Sequence, residues 1–275
     1  MNGKICIVTG SNTGIGKETA RGLAARGATV VLACRDVAKA ETARDDIARS
    51  TGRKDIAVLA LDLGSKESIR GFAGRFRESH DRLDVLVNNA GLWSTSRGTT
   101  KDGLETTLGV NHVGTALLTQ ELLPLLKKSA PSRVVVLSSA LHYRGKMVWD
   151  DLFYENRKYN ATAAYSQSKL ANVLFTKALA RRLEGTGVSV NAVHPGVVAT
   201  ELVRDYPKIL VKLFHLFLLT PEKGAACSLH VATAPELAGV TGEYFEKGKI
   251  KQASNAALDE AAQERLWELT EKLTA

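Results

Sequence analysis

Thr9-Gly10-Ser11-Asn12-Thr13-Gly14-Ile15-Gly16 follows the apolar run Ile5–Val8 and leads into a helical pattern. A short strand, a turn with G-x-x-x-G-x-G spacing and a helix make a βα unit. Glycine lets a chain turn sharply and come close to a pyrophosphate. The helix start adds unpaired N–H groups and partial positive charge. Gly10, Ser11, Asn12, Thr13, Gly14, Ile15 and Gly16 are therefore the candidate phosphate cradle. A ligand-free glycine turn would look similar in isolation; its place in the first βα unit favours a nucleotide.

Outward from that unit the pattern repeats. Apolar runs at Ile5–Val8, Val30–Ala33, Ala57–Leu61, Val85–Val87, Val134–Leu137 and Val188–Val193 read as strands buried on both faces. Helical patterns lie near Gly16–Arg26, Val37–Ser50, Lys66–Ser79, Leu104–Lys128, Thr162–Glu184 and Leu258–Leu273. Alternation of this kind predicts an α/β fold: a doubly wound parallel sheet with helices on both faces and right-handed crossovers. No linker or repeat divides the chain, so residues 1–275 are expected to form one domain.

Composition narrows the function classes. The 37 Lys and Arg are scattered among 29 Asp and Glu, so the net charge of +8 forms no tract suited to nucleic acid. Cys6, Cys34 and Cys227 lie far apart with no CxxC, which argues against disulfides and a metal site and fits a cytoplasmic setting. No signal peptide pattern precedes the first strand. The longest apolar segment, Ile209–Leu219, carries Lys212 and His215 and is too short to span a bilayer.

The second strand run ends Ala33-Cys34-Arg35. An acid at the position of Cys34 would suit a ribose 2′-hydroxyl and select NAD. Cys34 is no acid, and the Arg35 guanidinium can grip a 2′-phosphate, which points to NADP(H) over NAD(H). Lys17 adds positive charge nearby, and Asp36 is expected to turn away as a helix N-cap. Asp62, with Leu63 beside it, is a candidate for the adenine side; a turn role for Asp62 is the alternative. Asn89, Ala90 and Gly91 close the fourth strand with small residues and an amide that allow close approach.

Tyr165 and Lys169 are spaced i, i+4 and share one helix face. A lysine there can lower the phenol pKa and make Tyr165 a general acid or base. Tyr154-x-x-x-Lys158 has the same spacing but begins no apolar helix and reads as surface or lid. Ser138-Ser139 ends the fifth strand, where ligands gather in open α/β sheets, and Ser139 is chosen by register. Asn111, polar in an apolar helix, could hold a water linking Lys169 to solvent, or be a satisfied core amide. His194-Pro195-Gly196 turns after the sixth strand; Pro195, Gly196, Val198 and Thr200 are candidate cofactor residues, and Thr200 could hydrogen-bond the carboxamide. His194, His112 and His142 have no carboxylate or metal ligand spaced to serve them, and no G-x-S-x-G elbow is present.

TGSNTGIG, NNAG, Asn111, Ser139, Tyr165/Lys169 and PGVVAT occur in this order. Together they resemble the short-chain dehydrogenase/reductases over nearly the whole chain. The stretches SNTGIGKETA, LACRD, VNHVG, AYSQSKLANVLFTKALARRL and VHPGVV are most similar to the retinol dehydrogenase branch, including its WW-domain-containing oxidoreductases. The resemblance implies a Rossmann-type fold and an NADP-dependent oxidoreductase. Asn111, Ser139, Tyr165 and Lys169 would be catalytic and the substrate a lipophilic aldehyde or ketone, retinal-like or steroid, and its alcohol. Membrane-bound members have an N-terminal hydrophobic anchor and others a WW domain; this sequence starts at the first strand, so neither is expected from it. Residues 201–219 are expected to be a substrate lid, with oligomer or peripheral membrane contact as alternatives. Homo-oligomers through helices 104–128 and 162–184 are implied by the resemblance alone. The competing classes are an NAD-linked alcohol dehydrogenase and a non-catalytic NADP(H)-binding regulator.

Overall fold

Strand runs that are apolar on both faces can only be satisfied between two helical layers, and this is where they lie. The computed structural model describes residues 1–196 and 219–275. In chain order its main elements are β1 Ile5–Thr9, α1 Gly14–Ala25, β2 Thr29–Cys34, α2 Val37–Thr51, β3 Ile56–Ala60, α3 Lys66–Ser79 and β4 Val85–Asn88. There follow α4 Thr115–Lys128, β5 Ser132–Leu137, α5 Ala161–Arg182, β6 Val188–His194, α6 Pro221–Thr233, β7 Tyr244–Glu246, β8 Lys249–Ile250, α7 Asn255–Leu258 and α8 Glu260–Thr274.

All eight strands form one sheet in the order β3-β2-β1-β4-β5-β6-β7-β8. Pairing is parallel except for the β7–β8 hairpin. The order reverses between β1 and β4, so the switch-point crevice opens at the carboxyl ends of these strands. Along β1 the side chains alternate. Cys6 and Val8 join the core beneath α1, α2 and α6, and Ile7 joins the core with Phe72, Phe76 and Phe175.

Four departures from the sequence reading have local causes. The 104–128 helix starts at Thr106–Leu108 and passes through a π-turn, Gly109–Gly114, before α4. The C-terminal helix is broken at Asp259, whose carboxylate accepts from Ala261 and Ala262 N–H and caps α8. The β7 and β8 strands are too short to show a period. Between Ala164 and Ala180 of α5 only Lys177 is not buried, because α7 and α8 cover its outer side. Trp267 stacks on Phe175 at 5.8 Å, and the Arg182 guanidinium lies 4.1 Å over Trp267. One side of α5, one of the two helices expected at an oligomer contact, thus packs against the chain's own C-terminal segment. The proposed lid, with Val198 and Thr200, lies outside the described residues apart from Leu219. Among the described residues, no helix is long and apolar enough to cross a membrane.

Candidate active site

The glycine turn is stitched to the end of β4. Gly10 has a φ of 62°, and a Cβ on Gly16 would lie 2.4 Å from Asn89 Nδ2 and 2.5 Å from the Gly10 carbonyl. Thr9 Oγ1 accepts from Asn89 N–H at 3.0 Å and Ala90 N–H at 2.9 Å, while Asn89 Nδ2 donates to Thr9 O at 2.8 Å. Thr13 sits at the N-cap of α1 without a side-chain cap bond, and the first turn holds no acid. The donors at the start of α1 are therefore not used by a side-chain cap.

Two side chains at the glycine turn are engaged within the protein. The Ser11 side chain is fully buried and its hydroxyl donates to Val8 O at 2.8 Å. It shapes the turn and offers a ligand no hydroxyl. Lys17 is turned to α2, where it pairs with Asp46 at 2.7 Å.

At the end of β2, Cys34 is buried. Asp36 caps α2 by accepting from Lys39 N–H at 3.1 Å, which holds its carboxyl below the usual range. Arg35 is exposed and makes no ion pair among the described residues. Asp62 Oδ1 accepts from Gly64 N–H at 3.0 Å, and its Oδ2 lies 3.4 Å from Lys101 Nζ. This is the turn role foreseen as its alternative. Leu63 is buried beside Gly114.

The two serines after β5 point to different partners. Ser138 Oγ donates to the Lys169 carbonyl at 2.8 Å and is spent. Ser139 Oγ accepts from Leu141 N–H at 3.2 Å, which leaves its own proton to donate elsewhere. Asn160 caps α5 through Ala163 N–H, so Tyr165 lies in the first turns and Lys169 one turn on. Burial pushes the Tyr165 phenol up to about 12, and the neighbouring Ser139 side chain pulls the other way. Burial brings Lys169 down to about 8. Its Nζ donates to Leu137 O at 3.1 Å and lies 5.5 Å from the Tyr165 ring centroid. The expectation that Lys169 lowers the phenol pKa is not met here, since the ammonium is turned to the strand carbonyl.

Asn111 lies in the π-turn, fully buried. Its Oδ1 accepts from Leu92 N–H at 2.8 Å, and its Nδ2 donates to Leu92 O at 2.9 Å and Ser168 Oγ at 3.0 Å. Both Nδ2 protons are thus used within the protein, while Oδ1 keeps one acceptor position. Gly91 marks where these groups converge: a Cβ there would lie 3.3 Å from both Asn111 Oδ1 and Lys169 Nζ.

Tyr154 is not a surface residue. It is buried, with a φ of 54° and the Arg157 guanidinium 3.6 Å over its ring. Sequence reasoning missed Thr9 as the joint between β1 and β4, and it passed over His142, which is buried behind Ser139. Trp93 is stacked on Tyr165. The only signal for His142 was its spacing of three residues from Ser139.

The profile of the short chain dehydrogenase family matches residues 4–209. Human retinol dehydrogenase 13 is 50% identical over 273 residues, covering 96% of this chain and 82% of its own. A crystal structure of a protein from Mycobacterium Paratuberculosis superposes with a TM-score of 0.80 at 36% identity, covering 99% of this chain and 94% of that one. The Pseudomonas aeruginosa RhlG/NADP active-site complex gives 0.73 at 28% identity, covering 89% and 94%.

Proposed function

This chain belongs to the short chain dehydrogenase family, and from that premise we propose that it interconverts a lipophilic aldehyde or ketone and its alcohol with NADP(H). It is an oxidoreductase close to the retinol dehydrogenases. The observation that carries the finer reading is the pair at the crevice: a buried phenol, Tyr165, with the Ser139 side chain beside it, whose proton is not used by Leu141 and stands on the phenol side.

The residues at the switch point fit a dinucleotide, because the start of α1 has unspent donors and Arg35 stands exposed beside a capped Asp36. The glycine turn would hold the pyrophosphate, and Arg35 the 2′-phosphate. Asn89, Ala90, Gly91, Pro195 and Gly196 would line its path toward the nicotinamide end. When bound, such a cofactor supplies the hydride.

The protein's own groups handle the oxygen. A phenol at about 12 is protonated at neutral pH, so Tyr165 can donate to the developing alkoxide. Ser139 donates a hydrogen bond to the same oxygen and stabilises its charge. Lys169 is positively charged below about pH 8 and lies one turn from Tyr165, bound to the Leu137 carbonyl, from where it supports replacement of the phenol proton. Asn111 holds the Leu92 and Ser168 segments on either side of that lysine. Alcohol oxidation uses the same groups in reverse. The three free, buried cysteines fit a cytoplasmic setting.

The test is to mix purified protein with NADPH or NADH and a panel of aldehydes and ketones and to follow loss of nicotinamide absorbance. NADPH-linked turnover that disappears in Tyr165→Phe is the expected result. NADPH binding without turnover of any substrate, in either direction, would move the chain to the regulator class.

A further inference from the structure

His142 lies in the 3₁₀ turn Ala140–Arg144 directly behind Ser139, and it is fully buried. Its Nδ1 is 2.7 Å from the Ser139 carbonyl oxygen, and its Nε2 is 3.2 Å from Ser254 N. A carbonyl can only accept and a backbone N–H can only donate. The ring is therefore neutral, with its proton on Nδ1 and a lone pair on Nε2. An imidazolium would set a second N–H against the Ser254 N–H and lose that bond.

The surroundings keep the ring in this form. Tyr143 and Tyr244 pack on it with ring centroids 4.0 and 4.5 Å away. Burial lowers its pKa, while Glu246 and Lys251 act in opposite senses. His194, on β6, is itself buried, and its own pKa is lowered.

The Ser139 carbonyl takes both this Nδ1–H and the His142 backbone N–H, the latter at 3.0 Å. On the hydroxyl side, Oγ is fixed by Leu141 N–H. The serine is thus held from both ends, and one of its holders reaches across to the segment that starts α7.

We propose that His142 is a positioning residue that sets the Ser139 hydroxyl for the reaction and couples it to the C-terminal segment through Ser254. It touches neither substrate nor cofactor. The proposal rests on the carbonyl–alcohol reading above, and one of its two tests does not need turnover.

The first test is the tautomer. Nitrogen-15 spectra of the imidazoles, with His142 assigned by its loss in His142→Asn, should show a neutral Nδ1–H ring that does not titrate between about pH 6 and 8. An Nε2–H tautomer or a titrating ring overturns the proposal even if the enzyme is active.

The second test is kinetic. His142→Asn keeps a donor toward the Ser139 carbonyl, whereas His142→Leu keeps none. We expect His142→Leu to lower kcat by about 30- to 100-fold, the range for a misplaced reacting group. NADPH affinity should be unchanged, and His142→Asn should stay within about 3-fold of the parent. Equal losses in both variants, or loss of NADPH binding with kcat, would mean a merely structural role and overturn it. If His142→Leu does not fold, His142→Gln replaces it: its longer amide reaches toward Ser254 and not Ser139, and it should lose kcat where His142→Asn does not. If the parent turns over no carbonyl or alcohol, the proposed function fails and the spectra alone judge His142.

Discussion

The indole of Trp93 lies flat on the ring of Tyr165, with centroids 4.8 Å apart and planes within 10° of parallel. Tyr165 is only 7% exposed, and the Trp93 Nε1–H is buried without a partner among the described residues. The stack fixes the orientation of the phenol and keeps water from that side of the ring.

An aromatic pair of this kind contributes about 0.5–1.5 kcal/mol beyond the area it buries. Trp93→Leu is therefore expected to lower kcat/KM by about 3- to 10-fold. Trp93→Phe, which keeps the stack, should stay near the parent. Steady-state kinetics with one carbonyl substrate would check this, and an unchanged Trp93→Leu would show that the stack does not orient Tyr165.

Tyr165→Phe removes the proton donor and keeps the stack. Carbonyl reduction should fall by at least about 100-fold, while NADPH binding, followed by nicotinamide fluorescence, should persist. A loss of cofactor binding instead would mean that the hydroxyl serves the cofactor and not the oxygen of the substrate.

Lys169 gives a pH-dependent expectation. Burial lowers its pKa from 10.5 to about 8. Between about pH 8 and 10.5 the unfolded chain binds more protons than the folded one, so this group makes stability rise with pH across that window. Below about pH 8 the folded state carries a buried charge at full cost, on the order of 3 kcal/mol. Lys169→Met removes that charge, and the Leu137 carbonyl keeps the Asn172 Nδ2 bond at 3.0 Å. Thermal melts at pH 7 should therefore show a higher Tm for Lys169→Met with loss of activity, and the difference should shrink by about pH 10. A lower Tm at pH 7 would mean that the ammonium is better solvated than its burial implies.

The parts of this fold visible in the sequence were those carried by long-period patterns. Each βα unit announced itself by an apolar run followed by a 3.6-residue period, and Tyr165 and Lys169 by one helical turn. Asp36 could be placed as a cap because a cap is a local property. What stayed hidden depended on contacts between distant segments. Ser11 could not be seen to face Val8, nor Lys17 to face Asp46. Tyr154 looked like surface because its polar neighbours gave no sign that Arg157 would fold back over it. His142 lacked a carboxylate at a useful spacing, and the partners it does have are backbone groups that no side-chain pattern reveals.

Arg35 is the residue at which the proposed choice of cofactor is tested. Asp36 is spent on capping α2 and pairs with Lys39 at 3.5 Å, so the adjacent acid neither neutralises the guanidinium nor stands ready for a ribose hydroxyl. A charged hydrogen bond is worth about 1.5–3 kcal/mol, so Arg35→Ala should weaken NADPH binding by roughly 10- to 100-fold and leave NADH binding nearly unchanged. Cys34→Asp should act in the opposite sense, placing an acid near the 2′-position and repelling a phosphate there. Cys34 is buried against Ser11, so that variant also requires a check of folding by circular dichroism. Titration of both variants with both cofactors separates the two effects. If Arg35→Ala weakens NADPH and NADH equally, the arginine is holding the loop and not reading the phosphate, and the NADP(H) preference would have to come from another residue.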